Sequence, residues 1–234
     1  MVLIGTAGWS IPARYADDFA ESGTHLERYA ARMKAVEINS SFYRPHQKKT
    51  YERWAASVPA DFRFSVKLPR TITQDRRLKD CDDLLERFLD ESAGLGAMLG
   101  VLLAQLPPSL AYDRDIAASF FRALHRHTKA AIACEPRHAS WFTPEAAAAL
   151  NKLHVARVAA DPPRAPGDGE PGGWSGLRYW RLHGSPKIYY SDYGAGALQK
   201  LANQLKPRDW CIFDNTAAFA ALGNALTLKD LTTA

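Results

Sequence analysis

Eight short apolar runs recur along the chain, separated mostly by amphipathic stretches, and this alternation restricts the folds open to it. The runs are VLIG (2–5), KAVEIN (34–39), FRFSVKL (62–68), GVLLAQL (100–106), AIACEPR (131–137), VARVAAD (155–161), RYWRLHG (178–184) and WCIFDN (210–215). Between them lie helical patterns such as HLERYAARM, CDDLLERFLDESAGL, DIAASFFRALHRHT and TPEAAAALNKL, with ALQKLANQL and AAFAALGNAL near the C-terminus. Strand–helix units in series favour a parallel sheet, because parallel strands need a crossover between them. Eight units in 234 residues predict an α/β fold, a (β/α)8 barrel of the TIM type near its lower size limit. It is expected to form one domain over residues 1–234, with a doubly wound open sheet as the competing arrangement. One connection departs from the pattern. PPRAPGDGEPGGWSG (162–176) is dense in proline and glycine, so the sixth crossover is expected to be largely a loop.

Composition narrows the setting. With 47% hydrophobic residues the chain can bury a full core. Cys81, Cys134 and Cys211 are odd in number, widely spaced and without a C-x-x-C pair, which reads as reduced thiols of a cytoplasmic protein. The opening MVLIGTAGWSIP lacks the basic segment of a secretion signal, and no run approaches the roughly 20 apolar residues of a membrane helix. A net charge of +5 permits a polyanionic partner without requiring one.

Side chains alternate across a strand, and in such barrels sites form at the carboxyl ends of the strands. Val36 and Ile38 would face the helices, leaving Glu37 and Asn39 inside. Phe62, Phe64 and Val66 leave Ser65 and Lys67; Leu103 goes with Gln105; Ile132 and Cys134 oppose Glu135 and Arg137. Trp180 and Leu182 oppose Arg181 and His183, and Cys211 and Phe213 oppose Asp214, with Asn215 just beyond. Asp161 ends the sixth run. A lone inward carboxylate is commonly half of a structural ion pair, but so many polar strand ends on one expected face describe a shared site better.

The residue types suggest its chemistry. Glu37, Lys67, Glu135, Asp161, His183 and Asp214 are the candidates for acid–base work, with neighbouring charges shifting one another's pKa. Lys67, Arg137, Arg181 and His183 suit a phosphate or carboxylate. Thr6 and Gly8, in GTAGW directly after the first run, could let backbone N–H groups approach a ligand, or simply form a tight turn. Aromatic residues Trp9, Tyr43 and Trp141 could stack on a substrate or pack loops over the mouth. The remaining binding candidates are Asn39, Gln105 and Asn215. The acids and His183 include ligand types for a divalent cation, yet no H-x-H or H-E-x-x-H occurs and the cations would repel a metal, so no cofactor is favoured. RPHQKK (44–49) and PRTITQDRRLK (69–79) add basic loops on the same face, which keeps nucleic acid open as a partner beside a small anion. An enzyme acting by hydrolysis, elimination or isomerisation, a nuclease-like protein and a non-catalytic ligand sensor all remain compatible with these residues. Neither the substrate nor the oligomeric state is legible.

GTAGWS, VEINSSFYRP, FRFSVKLPRTIT, LGVLLAQLPPSL, CEPRHASWF, VAADPP, YWRLHG and FDNTAAFAALGNAL occur in that order and together resemble the YecE-like family, domain of unknown function 72. The resemblance covers residues 3 to about 230. It implies a TIM barrel in a cytoplasmic bacterial or archaeal protein, and it supplies no reaction. Ala7 stands where the family more often shows Ser, and Pro136 where an aromatic residue is common.

Overall fold

The structure, a computed structural model, describes residues 1–233. The chain folds as alternating strands and helices: β1 (Leu3–Thr6), α1 (His25–Arg32), β2 (Ala35–Ile38), α2 (Lys48–Ala56), β3 (Arg63–Lys67), α3 (Asp82–Ser92), β4 (Leu99–Gln105), α4 (Arg114–His127), β5 (Ala131–Glu135) and α5 (Pro144–Lys152). There follow β6 (Val155–Arg157), β7 (Ala159–Asp161), β8 (Gly172–Gly173), β9 (Tyr179–Leu182), α6 (Ala195–Gln204), β10 (Trp210–Phe213) and α7 (Ala220–Thr233). Each of the eight apolar runs contains strand, and the sixth is split at Val158 into β6 and β7. Side chains start several helices: Thr24 and Glu27 form a reciprocal cap on α1, Asp113 accepts from the first turn of α4, and Thr143 with Pro144 opens α5.

The strands hydrogen-bond into two sheets, ordered β1–β10–β9–β7 and β2–β3–β4–β5–β6–β8, and not into one continuous ring. Every pairing is parallel except β6–β8, so the fold is mixed α/β with parallel sheets. Two features relate the sheets. Ala7 and Glu37 form an isolated parallel bridge between the ends of β1 and β2, where Gly8 N–H also donates to the Glu37 carbonyl at 2.8 Å. A Cβ on Gly5 would stand 2.1 Å from the Ala35 carbonyl oxygen, so only glycine permits this approach. At the other side, the chain passes from β6 into β7 through Val158. The sixth crossover contains no helix among the described residues; β8 is its one regular element.

Apolar side chains divide by strand parity. The larger cluster, including Val36, Phe64, Leu102, Ile132, Trp180 and Phe213, lies between strands and helices. The smaller one joins Ala35, Val101, Leu103, Ala133, Val158, Tyr179 and Ile212 from the opposite faces of both sheets. This smaller core is the floor beneath the polar strand ends. The three cysteines are buried and free.

Candidate functional site

The inward parity that places Ala35, Leu103 and Ala133 in the smaller core puts Glu37, Gln105 and Glu135 above them. Register brings the layers level: Glu37 is opposite Ser65, and Gln105 opposite Glu135. From the other sheet, Tyr179, Arg181 and His183 rise along β9 and just past it.

Arg181 is the hub, with no exposed surface. Its Nε and Nη2 donate to the two oxygens of Glu37 at 3.0 and 2.7 Å, and Nη1 donates to Glu135 Oε2 at 3.0 Å. Nη2 also lies 3.0 Å from Asp214 Oδ2. Three carboxylates therefore share one planar, always-charged fork, the geometry that suits arginine over lysine. The Tyr179 hydroxyl sits 3.0 Å from Glu37 Oε2 and 2.9 Å from Ser65 Oγ, donating to the carboxylate and accepting from the serine. Gln105 Nε2 bridges both Glu135 oxygens at 3.0 Å, and Arg137 approaches Glu135 Oε1 at 3.2–3.3 Å.

His183 is held between two acids, with Nδ1 3.0 Å from Asp214 Oδ2 and Nε2 3.0 Å from Glu135 Oε1. Ionised carboxylates only accept, so both ring nitrogens must donate and the ring is an imidazolium. Burial by itself would lower its pKa; the charge of Glu135 and the hydrogen bonds donated to both acids outweigh this and raise it. Burial pushes the Glu135 and Asp214 carboxyls up, yet His183 and Arg181 hold Glu135 well below the usual carboxylate range, and Arg181 with His183 holds Asp214 below it. The linkage signs follow. The stabilisation carried by the two carboxylates is present above the ordinary value of about 4 and is lost as pH falls through their folded values. That of His183 is complete below about 6.5 and is lost as pH rises through its raised folded value. In urea unfolding, His183→Gln is expected to be about 2 kcal/mol less stable than the parent at pH 6, with the difference shrinking toward pH 9. A pH-independent difference would mean the ring is neutral.

Lys67 stands apart. It is 4% exposed, and among the described residues its ammonium makes neither a salt bridge nor a hydrogen bond; it lies 4.1 Å from the centroid of the Phe42 ring. Burial first, and Arg181 second, push its pKa down to about 8 against the opposing pull of Glu37, Asp214 and Glu135. Just past β2, the strand paired with β3, the buried amide oxygen of Asn39 has no hydrogen-bond partner among the described residues. Ile38 pairs with Val66; Lys67 is the next residue of β3, whereas Asn39 leaves β2 with helical backbone angles and opens the short turn Ser40–Phe42. The inward acids (Glu37, Glu135, Asp214) against Arg181, His183, Lys67 and Arg137 leave a surplus of one positive charge at this end.

The other candidates divide. Thr6 donates to the Gly8 carbonyl and contacts Tyr29, and both Thr6 and Gly8 line a separate hollow of about 200 Å³ with Thr216 and Phe219. Trp9 packs edge-on against Trp54, and Tyr43 is exposed beside Phe42. Trp141 is a core residue: it is 1% exposed and its indole N–H is used by the Leu110 carbonyl. Asn215 is buried and donates to Ser191 and Asn224. Asp161 does not join the cluster. Ala156 and Val158 face the smaller core, so parity turns Asp161 the other way, where its carboxylate accepts from Tyr193 at 2.6 Å. There it lines a cleft of about 390 Å³ against α6. Tyr179, which the sequence reading passed over, was legible as the residue two before Arg181. No group of three His, Cys, Asp or Glu side chains arranged to hold a metal occurs among the described residues, and no described helix is long and apolar enough to cross a membrane.

Fold and site together define an α/β protein whose parallel strands carry a buried, arginine-centred ionic cluster at their carboxyl ends. The chain belongs to the family described as protein of unknown function DUF72, whose sequence model matches residues 3–234. Among curated relatives, UPF0759 protein YecE of Escherichia coli is 35% identical over 108 residues, covering 46% of this chain and 38% of YecE. UPF0759 protein YunF of Bacillus subtilis is 27% identical over 150 residues, 62% of this chain and 53% of YunF. The chain thus aligns with only about two fifths to half of these relatives. Two crystal structures of DUF72 family proteins share the fold over the whole chain. The one from Enterococcus faecalis has a TM-score of 0.81 at 20% identity, with 96% of that chain covered. The one from Thermotoga maritima has a TM-score of 0.79 at 24% identity, with 100% covered.

Proposed function

We propose that the two sheets are arcs of a single (β/α)8 barrel domain, and that its carboxyl-end mouth binds a small phosphate- or carboxylate-bearing molecule for acid–base chemistry. The Ala7–Glu37 bridge and the β6–β7 passage are the two seams that support closure. The observation that carries the binding reading is Lys67. A buried ammonium without a carboxylate partner is costly, whereas the adjacent acids are all engaged by Arg181, His183, Gln105 or Arg137. An anion at Lys67 and Arg137 would neutralise the surplus charge; Arg137 contacts Glu135, which His183 also contacts, and this pair would move protons. A cytoplasmic setting fits the free, buried thiols. Nucleic acid has less support, since several cations of the basic loops are already engaged: Lys48 with Asp90, Arg70 with Asp75 and Arg77 with Ser109.

Thermal unfolding at low ionic strength, titrated with phosphate, sulfate and pyruvate, tests this. At ligand near one hundred times Kd, binding adds about 2.7 kcal/mol and raises Tm by roughly 5–10 °C in a domain of this size. Lys67→Met and Arg137→Met should flatten the response. Equal shifts in parent and variants would move anion binding elsewhere, and no shift with any anion would remove the reading.

A further inference from the structure

We infer that Lys67 is a covalent nucleophile, forming an imine with a ketone or aldehyde that also carries a carboxylate or phosphate. This rests on the anion site just described and specifies which anions it takes.

A lysine kept only for its charge is expected to be paired or solvated. Lys67 is neither: it is buried, free of hydrogen bonds among the described residues, and roofed by Phe42. Arg181 contributes positive charge on the inner side, which favours the neutral amine. That leaves a lone pair available near neutral pH, the condition that makes a desolvated lysine nucleophilic. At the end of β2, paired with β3, Asn39 holds a buried amide oxygen that accepts from no donor among the described residues. The hydroxyl of a carbinolamine would supply that oxygen with a donor. Arg137, 3.2 Å from Glu135 and partly exposed, would take the anionic end.

The step balances without a further reagent. The Nζ lone pair attacks the carbonyl carbon, and the C–O π electrons move to oxygen, which takes up one amine proton. The carbinolamine then expels its oxygen as water, carrying off the second amine proton, while the nitrogen lone pair forms the C=N bond. Amine and carbonyl compound become imine and water, with no change in oxidation state. Protonated, the imine withdraws electrons from the neighbouring carbon, so the bond it would labilise is the adjacent C–H or C–C bond, with a carboxylate of the cluster such as Glu135 as the acceptor for the proton.

The test is reductive trapping. The full-length protein is treated with pyruvate, and separately with dihydroxyacetone phosphate, in the presence of sodium cyanoborohydride, and the modified lysines are mapped by peptide mass spectrometry. Lys67 should be labelled at least ten times faster than any exposed lysine. Its rate should level off above an apparent pKa near 8, and inorganic phosphate should slow it. Lys67→Arg, which keeps the charge, should lose the fast adduct and still show a phosphate-dependent rise in Tm. If Lys67 is labelled no faster than surface lysines while phosphate still raises the parent's Tm, the covalent role is wrong and the anion site stands. If phosphate, sulfate and pyruvate leave Tm unchanged and no adduct forms, both are wrong.

Discussion

Arg181→Met should be unfolded or molten at pH 7, and whatever structure it keeps should become more stable as the pH is lowered. Its guanidinium serves Glu37, Glu135 and Asp214 at 2.7–3.0 Å with no exposed surface. Removing one partner from a buried ion pair costs about 3–5 kcal/mol because a charge is left unpaired. Here Glu37 would retain only the Tyr179 hydroxyl, while Glu135 would keep Gln105 and Arg137 and share His183 with Asp214. That loss is comparable with the roughly 5–15 kcal/mol that holds a whole domain together. The reversed pH dependence follows from linkage. Without Arg181, the desolvated carboxyls are left short of positive charge, so the folded state takes up protons more readily and gains stability as pH falls. The parent does the opposite as pH drops through the carboxylate range. Circular dichroism during urea unfolding at pH 7 and pH 5 reads both effects. A variant within 1 kcal/mol of the parent at pH 7 would show that the three carboxylates are not desolvated, and the ionic cluster would lose its structural role.

Lys67→Met, by contrast, should stabilise the free protein while abolishing its response to anions. Lys67 on β3 and Arg181 on β9 are both buried cations at the same end of the two sheets, yet their substitutions should have opposite signs. The displacement of the Lys67 pKa from its ordinary 10.5 to about 8 corresponds to roughly 3 kcal/mol against the charged form. Methionine keeps the unbranched shape and removes the charge, so a gain of about 1–3 kcal/mol is expected. The sign with pH can be checked independently. The penalty is complete below pH 8, fades as pH rises through the interval to 10.5, and is absent above it, so the advantage of Lys67→Met should shrink across that interval. Urea midpoints of parent and variant at pH 7 and pH 10 measure this. A destabilised Lys67→Met would mean that the ammonium is held by the fold for stability. A stabilised variant that has lost its anion response is the signature of a residue retained for function at the expense of the fold.

Much of the site was legible because alternation along a strand is a local, steric property. Counting in twos from Val36, Phe64, Ile132 and Trp180 placed Glu37, Lys67, Glu135 and Arg181 on the inner face, and the structure brings them together. Asp161 was misread for the complementary reason. It was assigned inward as the last polar residue of its run, although counting from Ala156 and Val158 turns it outward to Tyr193. Trp141 failed differently: its position between Arg137 and α5 gave no sign that the Leu110 carbonyl, far along the chain, would absorb its indole. Thr6 and Asn215 likewise have polar atoms that local turns and neighbouring elements claim.

What the residues determined by themselves was the inventory: eight apolar strand segments, their inner faces, and a mixture of acids and cations at the strand ends. Which cation is paired could only be decided in three dimensions. Arg181 and Glu37 are separated by 144 positions and meet because β9 and β2 belong to sheets that face one another across the smaller core. The guanidinium thereby satisfies three acids, and the neighbouring ammonium of Lys67 is left without one. Parity is dictated within a few residues by backbone geometry, whereas pairing depends on distances between sheets that no local rule contains.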